Sequence, residues 1–312
     1  MSTTTVGRSD AGGGSGRRPL LRSLLFAPAS HERRASKALI SRADAAILDL
    51  EDSVATDSKA AARVAVENLL LGRAAPRPLA FVRINGMTTL HAYPDLLAVV
   101  GPGLDAIVVP KVESAQQVAS LGWLLDQLER ERGVTPGSVA IIPIVETARG
   151  VAAATEIAAA SPRVWTLNFG IGDFALDTGM RPCAGHPGVA VARTMVVLAC
   201  RLAGVDAPID TAHLDLGDGE GLAAEAAEAR RLGFQGKACI HPDQIAVVRR
   251  AFSPTPEEVA RARVMVEAFD RAVGLGNASI RIGANFVDYP VAERARRLLE
   301  LAAGGEREGS RP

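Results

Sequence analysis

Cysteine is scarce in this chain of 312 residues: Cys183, Cys200 and Cys239 stand far apart and form neither a CxxC pair nor a Cys/His ligand spacing. That pattern argues against structural zinc and suits a reducing cytosol, with all three thiols expected as small buried apolar groups. Net charge is missing too, because 35 Lys and Arg residues balance 35 Asp and Glu residues. A neutral chain has no bulk attraction for nucleic acid or for an anionic membrane. No apolar run approaches the roughly 20 residues that span a bilayer. The first eighteen residues are polar and glycine-rich and lack the apolar core of a secretory signal. Three enzymatic fingerprints are also absent. The first apolar run is not followed by GxGxxG, no P-loop occurs, and there is no GxSxG elbow, so dinucleotide, P-loop and serine-hydrolase readings lack their signatures.

What is present is a repeated alternation. Short apolar runs occur at 23–29, 45–50, 79–84, 106–109, 140–145, 165–172, 208–214 and 236–240, with helical composition over 114–132, 150–160, 188–203, 221–232 and 256–272. The runs at 140–145 and 165–172 do not alternate apolar with polar, as strands buried on both faces would not. Eight strands alternating with helices predict one (β/α)8 TIM barrel over 20–275, with an open doubly wound sheet as runner-up. Segment 276–303 is expected to form a C-terminal helical arm or lid. Disordered tails are expected at 1–19 and 304–312.

Strand ends carry the polar residues. Ala140 to Val145 delivers Glu146, and 165–172 delivers Asp173. Asp49, Glu51 and Asp52 stand at the end of the second run, Arg83 and Asn85 at the end of the third, and Lys111 and Glu113 just beyond the fourth. In a barrel all of these face one mouth. Two carboxylates suit Mg²⁺, which takes oxygen ligands and keeps positions for water or substrate. An arginine fork at Arg83 suits a substrate carboxylate. Asp44 and Asp105 precede their strands and belong to the opposite, structural end. His241, in IHPDQ, is expected as an oriented strand-end residue donating to backbone. Arg33, Arg34, Lys37, Lys59 and Arg63 form the densest basic cluster, readable as a solvated helix face or as a dock for phosphates.

These pieces together resemble the HpcH/HpaI aldolase/citrate lyase superfamily, in its citrate lyase β-subunit-like branch. The matching stretches are RSLLFAPA (22–29), ADAAILDLEDSV (43–54) with KAAAR (59–63), VRIN (82–85), IVVPKVES (107–114), IVETARGV (144–151), GIGDFALDTG (170–179), GFQGKACIHPDQI (233–245) and VDYP (287–290). The resemblance implies a cytoplasmic homotrimer or hexamer that makes or breaks a carbon-carbon bond in an acyl-CoA thioester with Mg²⁺, releasing a 2-oxoacid. It implies metal ligands at Glu146 and Asp173, catalytic roles for Arg83, Glu51, Asp52 and Asp288, and contacts to substrate or CoA from Arg33, Lys59, Arg63, Arg83 and Lys111. Asp288 corresponds to an acid that reaches the mouth from a neighbouring subunit's arm. Departures from the family pattern are APASHERR after the first strand and GIGD where GAED is usual, which point to an unusual substrate. Other readings of the same chain are a malate-synthase-like or thioesterase activity at this site, a CoA-independent 2-oxoacid aldolase, and a catalytically silent scaffold barrel.

Overall fold

The computed structural model describes residues 18–309 except 74–76 and 182–185. Cys183, residues 1–17 of the expected N-terminal tail and residues 310–312 of the expected C-terminal one therefore lie outside the described residues. The strands are β1 (Ser23–Pro28), β2 (Ala45–Asp49), β3 (Leu79–Arg83), β4 (Ala106–Val109), β5 (Ala140–Val145), β6 (Asn168–Phe169), β7 (Ile209–Asp210) and β8 (Gly236–Cys239). Each pairs in parallel with the next, and β1 closes onto β8 with Leu24 opposite Ala238. The architecture is the (β/α)8 barrel expected from the alternation. The sixth and seventh runs are much shorter strands than their apolar composition suggested. In the sixth, the backbone turns into the helix Ile171–Thr178 immediately after Gly170, and Ile141 meets Val164 only through an isolated bridge.

Side-chain parity divides the core in two. Leu24, Ala45, Ile47, Phe81, Ala106, Val108, Ile142 and Ile144 fill the barrel interior, capped below by Trp165 with its ring edge-on to Phe81. Their neighbours in sequence, such as Leu25, Ala46, Leu48, Val82, Ile107 and Val145, pack outward against the helices. Successive strand residues point to opposite faces, so each inward position is followed two residues later by another. Continuing that count, Asp49 follows Ile47, Arg83 follows Phe81 and Glu146 follows Ile144. The polar mouth is the next layer of the apolar interior. By the same count Asp210 and Lys237 point outward, where Lys237 Nζ lies 2.8 Å from Asp210 and 3.1 Å from Glu225, and Arg193 grips Asp210 at 3.0 and 2.9 Å.

The other end of the barrel is structural, as expected for Asp44 and Asp105. Asp44 accepts the backbone N–H groups of Arg22 and Ser23, both at 2.9 Å, and Asp105 pairs with Arg73 at 2.7 Å. Beyond the barrel, helix Pro256–Gly274 packs with the hairpin β9 (Ser279–Ile282) and β10 (Asn285–Asp288) and with helix Tyr289–Gly309 around Phe269, Val287 and Ala292. The last helix continues through Gly309, further than the expected tail boundary at 304. Its Arg294, Arg297, Leu298 and Leu301 border a cavity at the N-terminal end of the barrel, together with Leu20 and Trp165. The arm therefore lies away from the mouth of its own barrel. Among the described residues no helix is long and apolar enough to cross a membrane.

Candidate active site

At the C-terminal ends of the strands a cavity of about 670 Å³ opens, bordered by Asp49, Arg83, Glu146 and Asp173. Asp49 and Arg83 meet first. Arg83 donates from Nε to Asp49 Oδ1 at 2.6 Å and from Nη2 to Oδ2 at 2.7 Å, and its guanidinium lies 5.1 Å above the Phe26 ring. Burial works to raise the Asp49 pKa, but the bonds and charge of Arg83 outweigh it and hold the carboxyl below its ordinary value. Nη1 is the edge of Arg83 that Asp49 does not take, and it sits 3.0 Å from Glu51 Oε2.

Glu146 is buried beside a glycine. A Cβ on Gly170 would stand 2.4 Å from Glu146 Oε2, so the carboxylate occupies the space that any larger residue would fill. Its other oxygen, Oε1, accepts the Lys111 backbone N–H at 2.8 Å. Thr147, next in sequence, caps the helix Ala148–Ala152 by accepting the Gly150 N–H, which ends the strand just past Glu146. Asp173 does not end a strand as expected. It lies in the first turn of the helix Ile171–Thr178, where a carboxylate is favoured by the helix dipole. That helix is tied to its neighbour by Asp177, which accepts the Ala148 N–H at 2.8 Å.

Negative charge is in excess here. Burial, reinforced by the charges of Asp173 and Glu51, pushes the Glu146 carboxyl up to about 8 against the opposing influence of the Lys111 N–H and Arg83. Burial likewise raises Glu51 despite Arg83 and Lys111. A divalent cation between Glu146 and Asp173 would relieve this, and carboxylate oxygens are the donors that Mg²⁺ takes. Among the described residues no three His, Cys, Asp or Glu side chains are gathered as a ready cage. Two carboxylates suit an ion whose remaining positions go to water or substrate.

The basic residues separate. Lys59 is buried and donates to the carbonyls of Leu50 and Glu51, both at 2.9 Å, clamping the loop that carries Glu51. Arg63 donates to buried Asp95 at 2.6 Å and also meets His91. Neither borders the cavity. Arg34 and Lys37 do, from the exposed face of helix Glu32–Ala38, while Arg33 on the same helix is exposed and does not. Lys111 places its ammonium 2.7 Å from Glu51 Oε1 and 3.2 Å from Asp52. Asp288 borders no part of the mouth in its own chain and accepts the Val291 N–H at 3.2 Å. His241 stands at the rim, where its Nδ1 accepts the Asp243 N–H at 3.3 Å instead of donating to backbone. Asp49 as the holder of Arg83 was missed by sequence reasoning, although its parity with Ala45 and Ile47 was there to be counted.

The profile of the HpcH/HpaI aldolase/citrate lyase family matches residues 22–242. Citrate lyase subunit beta of Haemophilus influenzae is 33% identical over 93% of this chain and 99% of its own length. L-malyl-CoA/beta-methylmalyl-CoA lyase of Cereibacter sphaeroides is 35% identical over 89% of this chain and 93% of its own. The crystal structure of CitE from Mycobacterium tuberculosis in complex with magnesium, acetoacetate and coenzyme A superposes with a TM-score of 0.76 at 34% identity, covering 91% of this chain and 98% of that one.

Proposed function

Because the chain belongs to the HpcH/HpaI aldolase/citrate lyase family, we propose that it is a Mg²⁺-dependent carbon-carbon lyase that splits a malyl-, citramalyl- or citryl-type 3-hydroxyacyl-CoA into a 2-oxoacid and a short acyl-CoA. The observation that carries this is the meeting of Glu146, Asp173, Glu51 and Arg83 at one barrel mouth. Glu146 and Asp173 would hold the metal. The bound ion supplies Lewis-acid charge that favours the alkoxide from which cleavage starts.

The chain's own residues do the rest. Arg83 is held rigid by Asp49 and presents the Nη1 end of its guanidinium toward the mouth as a charged donor for the substrate's carboxylate or hydroxyl oxygen. The pair Glu51 and Asp52 receives the hydroxyl proton. As the oxygen's electrons form the carbonyl, the adjacent carbon-carbon bond breaks and its pair passes to the acyl-CoA enolate. Asp288 of a neighbouring subunit returns a proton to that enolate's carbon, a role that needs an assembled trimer or hexamer. Arg34 and Lys37, with Arg33 beside them, dock the CoA phosphates. A cytosolic location is part of the same reading, supported by the sparse cysteines.

The test is an assay of purified protein with Mg²⁺ against malyl-, citramalyl- and citryl-CoA, following 2-oxoacid and free thiol separately, with Asp173→Ala as control. Oxoacid without free thiol, lost in the variant, establishes the lyase. Free thiol without oxoacid would replace it with a thioesterase. Turnover of a free 2-oxoacid aldol without CoA would move the chain to the CoA-independent branch.

A further inference from the structure

Lys111 has a backbone and a side chain that do different things to the same site. Its φ is +52°, making it the only non-glycine among the described residues with a left-handed backbone. Lysine pays a steric cost there that glycine does not. The left-handed turn aims its N–H at Glu146 Oε1, 2.8 Å away. Its ammonium then reaches three further acids, at 2.7 Å from Glu51, 3.2 Å from Asp52 and 3.9 Å from Asp173. One residue thus touches four of the mouth's five carboxylates, all but Asp49, which Arg83 holds, and three of them through a positive charge.

Resting on the reading of Glu146 and Asp173 as metal ligands, we propose that Lys111 is a positioning residue whose ammonium serves as an internal counter-cation, holding Glu51, Asp52 and Asp173 together until a divalent ion arrives. Four carboxylates at one mouth repel one another, and like charges this close push the site apart. The ammonium offsets that repulsion in the metal-free protein. It also stands within 4 Å of an acid that would take the metal, so the two cations compete for the same negative field. The consequence is a site already assembled before the metal binds but binding it less tightly than the carboxylates alone would.

The two roles can be separated. Lys111→Gly keeps the left-handed backbone and the bond to Glu146 while removing the ammonium, Lys111→Met removes the ammonium on a side chain of similar length, and Lys111→Arg keeps the charge. Mg²⁺ binding is measured on the full chain by titration calorimetry, and thermal unfolding is followed with chelator and with saturating Mg²⁺. Lys111→Gly and Lys111→Met are expected to bind Mg²⁺ on the order of tenfold tighter, as loss of one partly screened charge at such a distance would give. Their metal-free Tm falls and the gap between metal-free and Mg²⁺-loaded Tm widens, while Lys111→Arg stays near wild type in both. A wild type that binds Mg²⁺, with affinity unchanged or weaker in both charge-free variants, overturns the role of Lys111 alone. No Mg²⁺ binding by the wild type overturns the metal reading and this proposal with it.

Discussion

Asp49 and Arg83 are register partners on adjacent parallel strands, and their two-point ion pair takes up the Nε and Nη2 edge of the guanidinium. That side-on edge of the fork is taken by the protein, which leaves the end of the guanidinium, Nη1 and the second N–H of Nη2, with Nη1 aimed at Glu51. A substrate oxygen therefore meets donors whose direction is fixed by Asp49.

Asp49→Asn should consequently behave as an active-site variant although Asp49 touches no reacting atom. Removing one partner of a buried ion pair costs about 3–5 kcal/mol. The expected outcome is a clear loss of unfolding free energy in denaturant titrations, with kcat for CoA-ester cleavage lowered ~100-fold or more as Arg83 loses its fixed direction. Arg83→Lys should fare no better, since an ammonium cannot keep both the Asp49 contact and the Nη1 contact. Wild-type kcat in Asp49→Asn would show that Arg83 is positioned without it.

Lys59 and Arg34 give opposite expectations. Lys59→Met leaves the Leu50 and Glu51 carbonyls without their buried donor, a loss of about 1–3 kcal/mol, and should lower Tm without raising KM for the CoA ester in protein that remains folded. Arg34→Ala and Lys37→Ala remove exposed charges at the cavity border and should raise KM, more steeply at low salt, with Tm nearly unchanged. Steady-state kinetics at two ionic strengths, paired with melting curves, separates the two kinds of cation.

The barrel was legible because buried parallel strands and their helices leave a strong alternating record, and because parity carries the mouth acids onto one layer. Glu146 could be placed on its strand end for that reason. Asp173 could not, since nothing in WTLNFGIG distinguishes a long strand from a two-residue strand followed by a helix turn; the stop at Phe169 follows from chain geometry around Gly170. The basic cluster defeated sequence reading for another reason. Lys59 and Arg63 sit one turn apart on a helix, as a solvent-facing pair would, but Lys59 turns back under the β2 loop and Arg63 finds Asp95, 32 residues away in sequence. Side-chain partners of that kind are set by tertiary contact, which local spacing does not record.

Stability of the metal-free protein should depend on pH through Glu146. Burial and the nearby carboxylates raise its pKa from 4.5 to about 8, so the folded state favours the protonated form more than the unfolded chain does. A group raised in this way contributes stability below its unfolded value and loses it as pH rises toward its folded one. Metal-free Tm should fall between about pH 5 and pH 8, with Glu51, raised in the same direction, adding to the slope. Mg²⁺ binds the ionised form, so the Tm gain on adding it should widen as pH rises from 6 to 8.5. Glu146→Gln should flatten the metal-free slope and abolish the gain. A metal-free Tm that climbs through this interval would show that Glu146 is not the burdened group.

Gly170 offers a test of the metal cradle at a position with ordinary backbone angles. Its φ of −111° and ψ of 105° are an ordinary extended conformation open to any L residue. The penalty of adding a methyl at this position is therefore contact and not backbone strain. That methyl would meet Glu146 Oε2 at 2.4 Å and Cβ at 2.8 Å, and Glu146 has little freedom to yield because Oε1 is fixed by the Lys111 N–H. Rotation of Glu146 relieves the contact with Oε2 but not the one with Cβ, whose place the backbone sets, so the end of β5 or the turn at Gly170 must also shift. Both movements take Glu146 out of the position from which it would face Asp173. Mg²⁺ affinity by calorimetry should drop at least ~10-fold, about 1.4 kcal/mol, and metal-free Tm should fall. Wild-type Mg²⁺ affinity in a folded Gly170→Ala protein would mean that the ion does not depend on Glu146 where the structure places it.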